Sequence, residues 1–327
     1  MSKDIEKNLV GQPIFKQLIN LLPREKFDLL VYKHQSDRYY KAFSSWDELV
    51  TLLFGILSRC DSMGEVCDGM RTLQGKLNYF GMTQSPAKST ANDGLRNRNH
   101  ELFRDFFFEL IKHFESVLSV SRVDGVSFSR FYTFDSTTIS LFSDIMKGVG
   151  RNPKNDGRKK GGLKVHMMID AHANTAKYVA ISEARLHDKN FLKHLTLPQG
   201  SMIVFDKAYN HYLQFAHWTK EGVNFVCRLK DNAIYETQEV LLENMLTNKP
   251  SGVIKVEHIH LKYKENNQNT PLCLRKVTYR DEKGRTYQFI TNNFGISAEE
   301  VAFIYKNRWN IELIFKKLKQ NFQLHYF

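Results

Sequence analysis

A single change of hydrophobic period near Arg130 does most to restrict how this chain can fold. Before it, apolar side chains recur three and four residues apart, as on one face of a helix. Phe103, Phe106, Phe107, Leu110, Ile111 and Phe114 fall this way within Glu101 to Val120. Another helical run begins at Leu49, behind Ser45-Trp-Asp-Glu48, which has the form of a capping box. After the change, Phe131-Tyr-Thr-Phe-Asp-Ser-Thr-Thr-Ile-Ser-Leu141 is rich in aromatic and β-branched residues, which suit a pleated strand. Lys164–Asp170, Lys177–Glu183, Ser201–Asp206 and Asn224–Arg228 follow as further strands, with helical segments near 188–195 and 210–221. Three strands in succession, then β-α-β-α-β order, imply a mixed sheet with helices packed on its faces.

Residues 230 to about 292 interrupt this order with alternating stretches, Gly252–Leu261, Cys273–Tyr279 and Arg285–Thr291, which read as a β-rich insertion. A long helix then starts behind a second capping box, Ser297-Ala-Glu-Glu300, and runs to about Phe322. The expectation is an α/β protein in two parts. Residues 1–125 form an all-helical domain, and 126–327 form a mixed-sheet domain with an insertion at about 230–292. An apolar content of 42% and a charged content of 25% exclude a disordered tail, a collagen and a disulfide scaffold. Cys60, Cys67, Cys227 and Cys273 form no CxxC pair, so buried thiols in a reducing compartment fit better than a zinc site. No apolar run approaches the roughly 20 residues of a membrane span, and the first residues lack a signal peptide's apolar core. Lys and Arg number 47 against 35 Asp and Glu, a surplus of +12 that favours a polyanionic partner, nucleic acid above all.

Chemistry-bearing residues concentrate in two places. In the last helix Tyr305, Arg308, Glu312 and Lys319 fall at roughly 0°, 300°, 340° and 320° around the axis, one narrow stripe. Such a stripe is either a functional surface or a solvated face with Arg308–Glu312 as an i,i+4 ion pair. On the strands, Asp135 follows Phe131–Phe134, and Asp206 closes Met202–Phe205. A carboxylate ending an apolar strand is a turn or cap residue, or it is paired or bound to metal. With Glu312 these two make a set of three carboxylates suited to two hard divalent cations, Mg²⁺ or Mn²⁺. Two such ions about 3.5–4 Å apart serve phosphodiester displacement.

Other segments are open to two readings. The connection from Lys147 to Lys164 carries Lys147, Arg151, Lys154, Arg158, Lys159, Lys160 and Lys164 among glycines, a flexible arm for a DNA backbone or a solvated loop. Lys88 to Asn99, polar with Lys88, Arg96 and Arg98, is a helix-turn-helix-like DNA contact or a loop. His166 reads as a satisfied sheet histidine, Asp188 as a helix cap, Trp309 as core packing, and Tyr287 and Phe289 as strand core. His258 and His260 share a strand face, but no third zinc ligand is identifiable.

Together these residues resemble the IS4 group of DDE transposases, the group that includes the Tn5 transposase. Asp135 in Phe-Asp-Ser-Thr and Asp206 in Val-Phe-Asp-Lys-Ala-Tyr are similar to the two Asp motifs. Lys160-Gly-Gly-Leu-Lys-Val-His166 is similar to the Gly-rich approach to the second strand. Tyr305-x2-Arg308-x3-Glu312-x6-Lys319 resembles the group's Y-R-E-K signature at its spacing, the most specific of these likenesses. Ser89-Thr-Ala-Asn92 is similar to a recurrent amino-terminal element. The resemblance implies an RNase H-like mixed sheet with flanking helices, interrupted by a β-rich insertion and preceded by a helical DNA-binding domain. It implies that Asp135, Asp206 and Glu312 are catalytic and coordinate two Mg²⁺ or Mn²⁺ ions, and that Tyr305, Arg308 and Lys319 contact DNA at the transposon end. The basic arm adds Arg158, Lys159, Lys160 and Lys164 as expected DNA contacts. The implied activity is cleavage at transposon ends and strand transfer into target DNA, by a homodimer on paired terminal inverted repeats, in the bacterial cytoplasm at the nucleoid. Members of the group usually continue past this helix, whereas this chain ends at Phe327. The alternative expectation is therefore a C-terminally truncated, non-catalytic end-binding protein or inhibitor.

Overall fold

The structure is a computed structural model that describes residues 13–117, 123–140, 162–243, 252–265 and 267–321. Two compact units divide the chain, one over 1–119 with 321–323 and one over 120–320 with 324–327.

The described part of the first unit is helical: α1 (Ile14–Leu21), α2 (Arg24–His34), α3 (Ser45–Leu57), α4 (Met63–Thr72), α5 (Lys88–Asn97) and α6 (Glu101–His113). Phe27, Trp46, Val50, Met70, Leu102 and Phe106 form its core. The capping box of α3 sits one residue earlier than the sequence pattern predicts. Ser44 is the N-cap, and the Asp47 carboxylate accepts from the Ser44 N–H at 2.8 Å. Ser45 is thereby released to donate its own N–H to Asp37 at 2.7 Å. Cys60 lies in the connection after α3, half-buried, while Cys67 on α4 is buried. The polar segment from Lys88 is a helix, not a loop. It buries Ala91 and Gly94 and is anchored at its end by Arg98. That guanidinium donates to Glu48 and Asp37, both at 2.5 Å, and to the carbonyls of Ser36 (2.9 Å) and Phe43 (2.7 Å).

The second unit is built on one nine-stranded sheet: β1 (Phe131–Ser140), β2 (Gly162–Asp170), β3 (Thr175–Glu183), β4 (Met202–Phe205), β5 (Asn224–Arg228), β6 (Tyr235–Glu243), β7 (Gly252–Glu265), β8 (Gln268–Arg280) and β9 (Thr286–Thr291). Their order across the sheet is β3-β2-β1-β4-β5-β9-β8-β7-β6. β1 pairs antiparallel with β2 and parallel with β4, and β4 runs parallel to β5. Residues 230–292 do not form a separate body. β9 pairs antiparallel with β5 and carries β8, β7 and β6 onward in the same sheet. β6 escaped the sequence reading because its residues are almost all exposed, so no buried face leaves an alternating signal.

A short 3-10 segment, Asp188–His194, and α7 (Tyr212–Lys220) lie between the strands, as the sequence predicts. The expected long final helix is two helices, α8 (Ala298–Asn307) and α9 (Trp309–Asn321). At the junction the Arg308 N–H bonds to the Tyr305 carbonyl at 3.1 Å, a tightened i→i−3 turn. Ser297 caps α8 as predicted, accepting from the Glu300 N–H. The box is only half made, because Glu300 accepts instead from the N–H and hydroxyl of Ser127.

Candidate active site

Strand parity explains why the two aspartates meet the last helices. Phe131 lies opposite Met202 across the β1–β4 pair. Tyr132, Phe134, Ile203 and Phe205 enter one core, while Phe131, Met202 and Val204 enter the other, together with Val301 and Ile304 of α8. Side chains alternate across a sheet, so Asp135 and Asp206 continue the second series. Both leave the sheet on the face that α8 covers.

The contacts follow from that placement. Tyr305 donates its hydroxyl to Asp206 Oδ1 at 3.0 Å. Arg308 donates from Nη1 to Asp135 Oδ2 at 2.9 Å and from Nη2 to Glu312 Oε1 at 2.6 Å. The Ser136 N–H donates to Asp135 Oδ1 at 2.8 Å. Lys319 Nζ donates to the Thr138 carbonyl on β1 at 2.9 Å. The stripe predicted on the last helix thus reaches the strands despite the break at Arg308, with Glu312 joined to Asp135 through Arg308.

These groups are electrostatically coupled. Burial pushes the Asp135 carboxyl up to about 6, and the charges of Glu312 and Asp206 push the same way against Arg308 and the Ser136 amide. Burial and then the Asp206 charge raise the Tyr305 phenol. Burial disfavours the Arg308 cation, but Tyr305, Asp135 and Glu312 together outweigh it and raise that group. Burial lowers Lys319. A donor set of carboxylate oxygens suits Mg²⁺ or Mn²⁺, and crowding of like charge around a buried Asp135 is the kind of strain that a cation relieves. In this structure Arg308 supplies that relief for two of the three. Among the described residues no three His, Cys, Asp or Glu side chains converge closely enough to hold one ion.

The remaining predicted residues fall differently. Arg158, Lys159 and Lys160, with Lys147, Arg151 and Lys154, lie outside the described residues. Lys164 turns its ammonium to Asp188 Oδ1 (3.0 Å) and the Leu186 carbonyl (3.1 Å). Asp188 is not a cap: His187 takes that position without a side-chain bond, and Asp188 instead accepts from the Ser136 hydroxyl at 2.9 Å. His166 is only half satisfied, since Nε2 meets Ser182 Oγ at 2.9 Å while the buried Nδ1 has no hydrogen bond. Trp309 is 61% exposed, so it is not core packing. Phe289 is buried in the core and Tyr287 stacks on it, the strand role predicted for both. His258 faces Glu239 at 3.3 Å. The sequence reading missed Ser136 and a shallow cleft of about 430 Å³ beside Asp206, lined by Lys207, Ala208, Lys230, Asp231 and Asn232. The hydroxyl run Ser136-Thr-Thr138 was visible, but nothing local says which acid it meets.

A profile of the transposase DDE domain matches residues 127–326, and one of a domain of unknown function, DUF4372, matches residues 10–83. The first covers more than half of the chain, which therefore belongs to the DDE transposase family. Among its relatives is a Sinorhizobium fredii protein named as a transposase, y4zB, 27% identical over 53% of this chain and 48% of its own length. A probable transposase for insertion sequence element IS5377 of Geobacillus stearothermophilus is 28% identical over 57% of this chain and 47% of its own. The transposase for insertion sequence element IS231C of Bacillus thuringiensis subsp. berliner is 22% identical over 98% of this chain and 74% of its own. The chain thus spans about half the length of the first two of these relatives. Among the described residues no helix is long and apolar enough to cross a membrane.

Proposed function

We propose that this chain is a DDE-type DNA transposase of the IS4 group, performing metal-dependent phosphodiester cleavage at transposon ends and strand transfer into target DNA. The observation that carries the proposal is the tethering of Asp135 and Glu312 to one guanidinium, with Asp206 held by the tyrosine one helical turn earlier. The first five strands, in the order β3-β2-β1-β4-β5, support an RNase H-like reading of the sheet. Strands β6 to β9 are then the insertion, joined to that sheet by the pairing of β9 with β5.

In this reading Asp135, Asp206 and Glu312 hold two divalent cations, Mg²⁺ or Mn²⁺. When bound, such ions activate an attacking oxygen and stabilise a leaving one. The chain's own residues do the rest. Arg308, released from one carboxylate, turns its planar fork to a phosphate, and Lys319 offers a point charge. Tyr305 orients Asp206 and donates to the DNA backbone. Arg158, Lys159 and Lys160 extend the grip along the duplex, while Lys164, expected to join them, is instead engaged by Asp188 and the Leu186 carbonyl. Residues 1–125 hold 17 basic and 16 acidic side chains, so nearly all of the +12 surplus lies in 126–327. Phosphate attraction thus belongs to the sheet unit, and the proposed amino-terminal DNA-binding domain acts through shape or base contacts. A homodimer on paired ends, in the bacterial cytoplasm at the nucleoid, completes the proposal.

The pairing of Arg308 with two of the three carboxylates favours a second reading, an end-binding protein or inhibitor without turnover. Incubating an end-bearing duplex with Mg²⁺ and wild type, Asp135→Ala or Glu312→Gln separates the two. Cutting by wild type alone, with all three proteins binding the duplex, supports the transposase. Binding without cutting by wild type supports the second reading, and equal cutting by Glu312→Gln removes that residue from the site.

A further inference from the structure

On the opposite face of β1 from Arg308, a second polar cluster backs onto the same aspartate. Ser136, one residue beyond Asp135, points to the face that carries Phe134. Its register partner on β2 is His166, and Thr138 two residues on pairs with Lys164, so Lys164 and His166 share that face. Asp188 reaches in from the 3-10 segment Asp188–His194. Its Oδ1 accepts from Ser136 Oγ at 2.9 Å and from Lys164 Nζ at 3.0 Å, and lies 3.8 Å from His166 Nδ1.

We infer that Asp188 is a positioning residue for Asp135, acting through Ser136; this rests on the proposed role of Asp135 as a metal ligand. The coupling is carried by one residue with two ends. The Ser136 hydroxyl is anchored by Asp188, while the Ser136 N–H donates to Asp135 Oδ1 at 2.8 Å. Without that anchor this stretch of β1 could shift, and the Ser136 N–H would hold Asp135 less firmly when a bound DNA phosphate competes for Arg308. Anchored by Asp188, Ser136 keeps one oxygen of Asp135 oriented when Arg308 lets go. Groups that hydrogen-bond a ligating carboxylate fix its direction in this way.

The cluster is a poor device for stability. His166 Nδ1 and the Tyr209 hydroxyl are both buried beside it without a hydrogen bond. Unpaired buried polar atoms cost free energy, and local violations of this sort gather where function demands them. Asp188 also lies across the strand from Arg308, so it cannot substitute for one of the three carboxylates facing that side.

The test compares full-length wild type, Asp188→Ala, Asp188→Asn, Ser136→Ala and the Asp188→Ala/Ser136→Ala double variant, with Asp135→Ala as the control. Mn²⁺ binding is followed by calorimetry or electron paramagnetic resonance, and thermal unfolding is recorded beside it. Expected are roughly tenfold weaker Mn²⁺ binding for Asp188→Ala and for Ser136→Ala, within the 10–100-fold range of such partners. The double variant should bind no worse than either single one, because both act through one link. Asp188→Asn, which still presents an oxygen acceptor to Ser136, should bind within a few-fold of wild type. If the alanine variants lower the melting temperature but bind Mn²⁺ like wild type, or if their losses in Mn²⁺ affinity simply add, Asp188 is structural and the inference is overturned. If wild type shows no Mn²⁺ binding that Asp135→Ala removes, the catalytic reading falls first and this one with it.

Discussion

Arg98 in the helical unit and Arg308 in the sheet unit each lie between two carboxylates, and what surrounds the ion triads separates them. The Arg98 side chain is 1% exposed and Glu48 beside it 4%. Every nitrogen of that guanidinium has an acceptor, with carbonyls of Ser36 and Phe43 completing the set, and the group stacks on Tyr40 at 4.0 Å. Arg308 is 14% exposed, Asp135 16% and Glu312 30%, and the Arg308 Nε has no acceptor. In the first triad Arg98 and Glu48 are sealed from solvent, and Asp37, 36% exposed, forms its outer edge. The second is partly open to solvent, which is what the proposed binding of a phosphate or cation there requires. Similar ion chemistry thus fastens α5 in one unit and leaves a replaceable counter-ion in the other.

The largest expected effect tests the closed triad. Arg98→Met should destabilise the helical unit by about 3–5 kcal/mol in urea unfolding, because Glu48 would stay buried without a partner. A loss below about 1 kcal/mol would mean that water reaches the pair and the triad is not closed.

Acid should separate the units next. Burial lowers His166 to about 4. Between pH 6.5 and 4 the unfolded chain takes up a proton there that the native sheet refuses. The His166 contribution should therefore be full above about 6.5, fall as pH drops and level off below 4, while Asp135, held up at about 6, takes up a proton in the native sheet over the same range and offsets much of that fall. The His166 contribution is about 3 kcal/mol, and His166→Gln should remove it. In the helical unit the Lys33 and His34 contacts hold Asp105 down at about 2. Its contribution is complete above about pH 4 and is lost only toward 2. Urea midpoints at stepped pH for wild type and His166→Gln, read by probes in each unit, would show a difference between the two proteins that grows toward pH 4 in the sheet unit and stays flat in the helical one. Parallel decline would break the comparison.

Ser44→Ala should cost about 1 kcal/mol, because it removes the hydroxyl that accepts from the Asp47 amide at the start of α3. A smaller effect, if any, is expected from Arg308→Met, about 1 kcal/mol or less near pH 6. Asp135, already pushed up to about 6, can take up a proton once its counter-ion is gone. Proton release on unfolding near pH 6, larger for Arg308→Met than for wild type, would register the difference. A cost as large as that of Arg98→Met would show that the open triad is structural after all.

Much of the site could be read from the chain before the fold. Asp135 stood out as a carboxylate following the apolar stretch Phe131–Phe134, Asp206 as one closing Met202–Phe205, and Tyr305, Arg308, Glu312 and Lys319 as a polar stripe. The failures share a cause. Whether Ser44 or Ser45 caps α3 depends on Asp37 claiming Ser45, and whether Asp188 caps a helix depends on Ser136 lying across from it. Trp309 was assigned to the core by helical angle, but the break at Arg308 changes the frame in which that angle is measured.

By itself, the sequence determined the residue types and their faces. Strand alternation and helical period are set by neighbours a few positions apart, and they put Asp135 on the face of Phe131 and Asp206 on the face of Met202 and Val204. Which groups touch was decided only by the tertiary structure. Arg308 meets Asp135 across 173 residues of chain, and Tyr305 meets Asp206 across 99. Such pairings depend on strand order, on parallel register between β1 and β4, and on a one-residue tightening of the last helix. No local pattern encodes these, because the energy that selects them comes from burying both faces of the sheet at once.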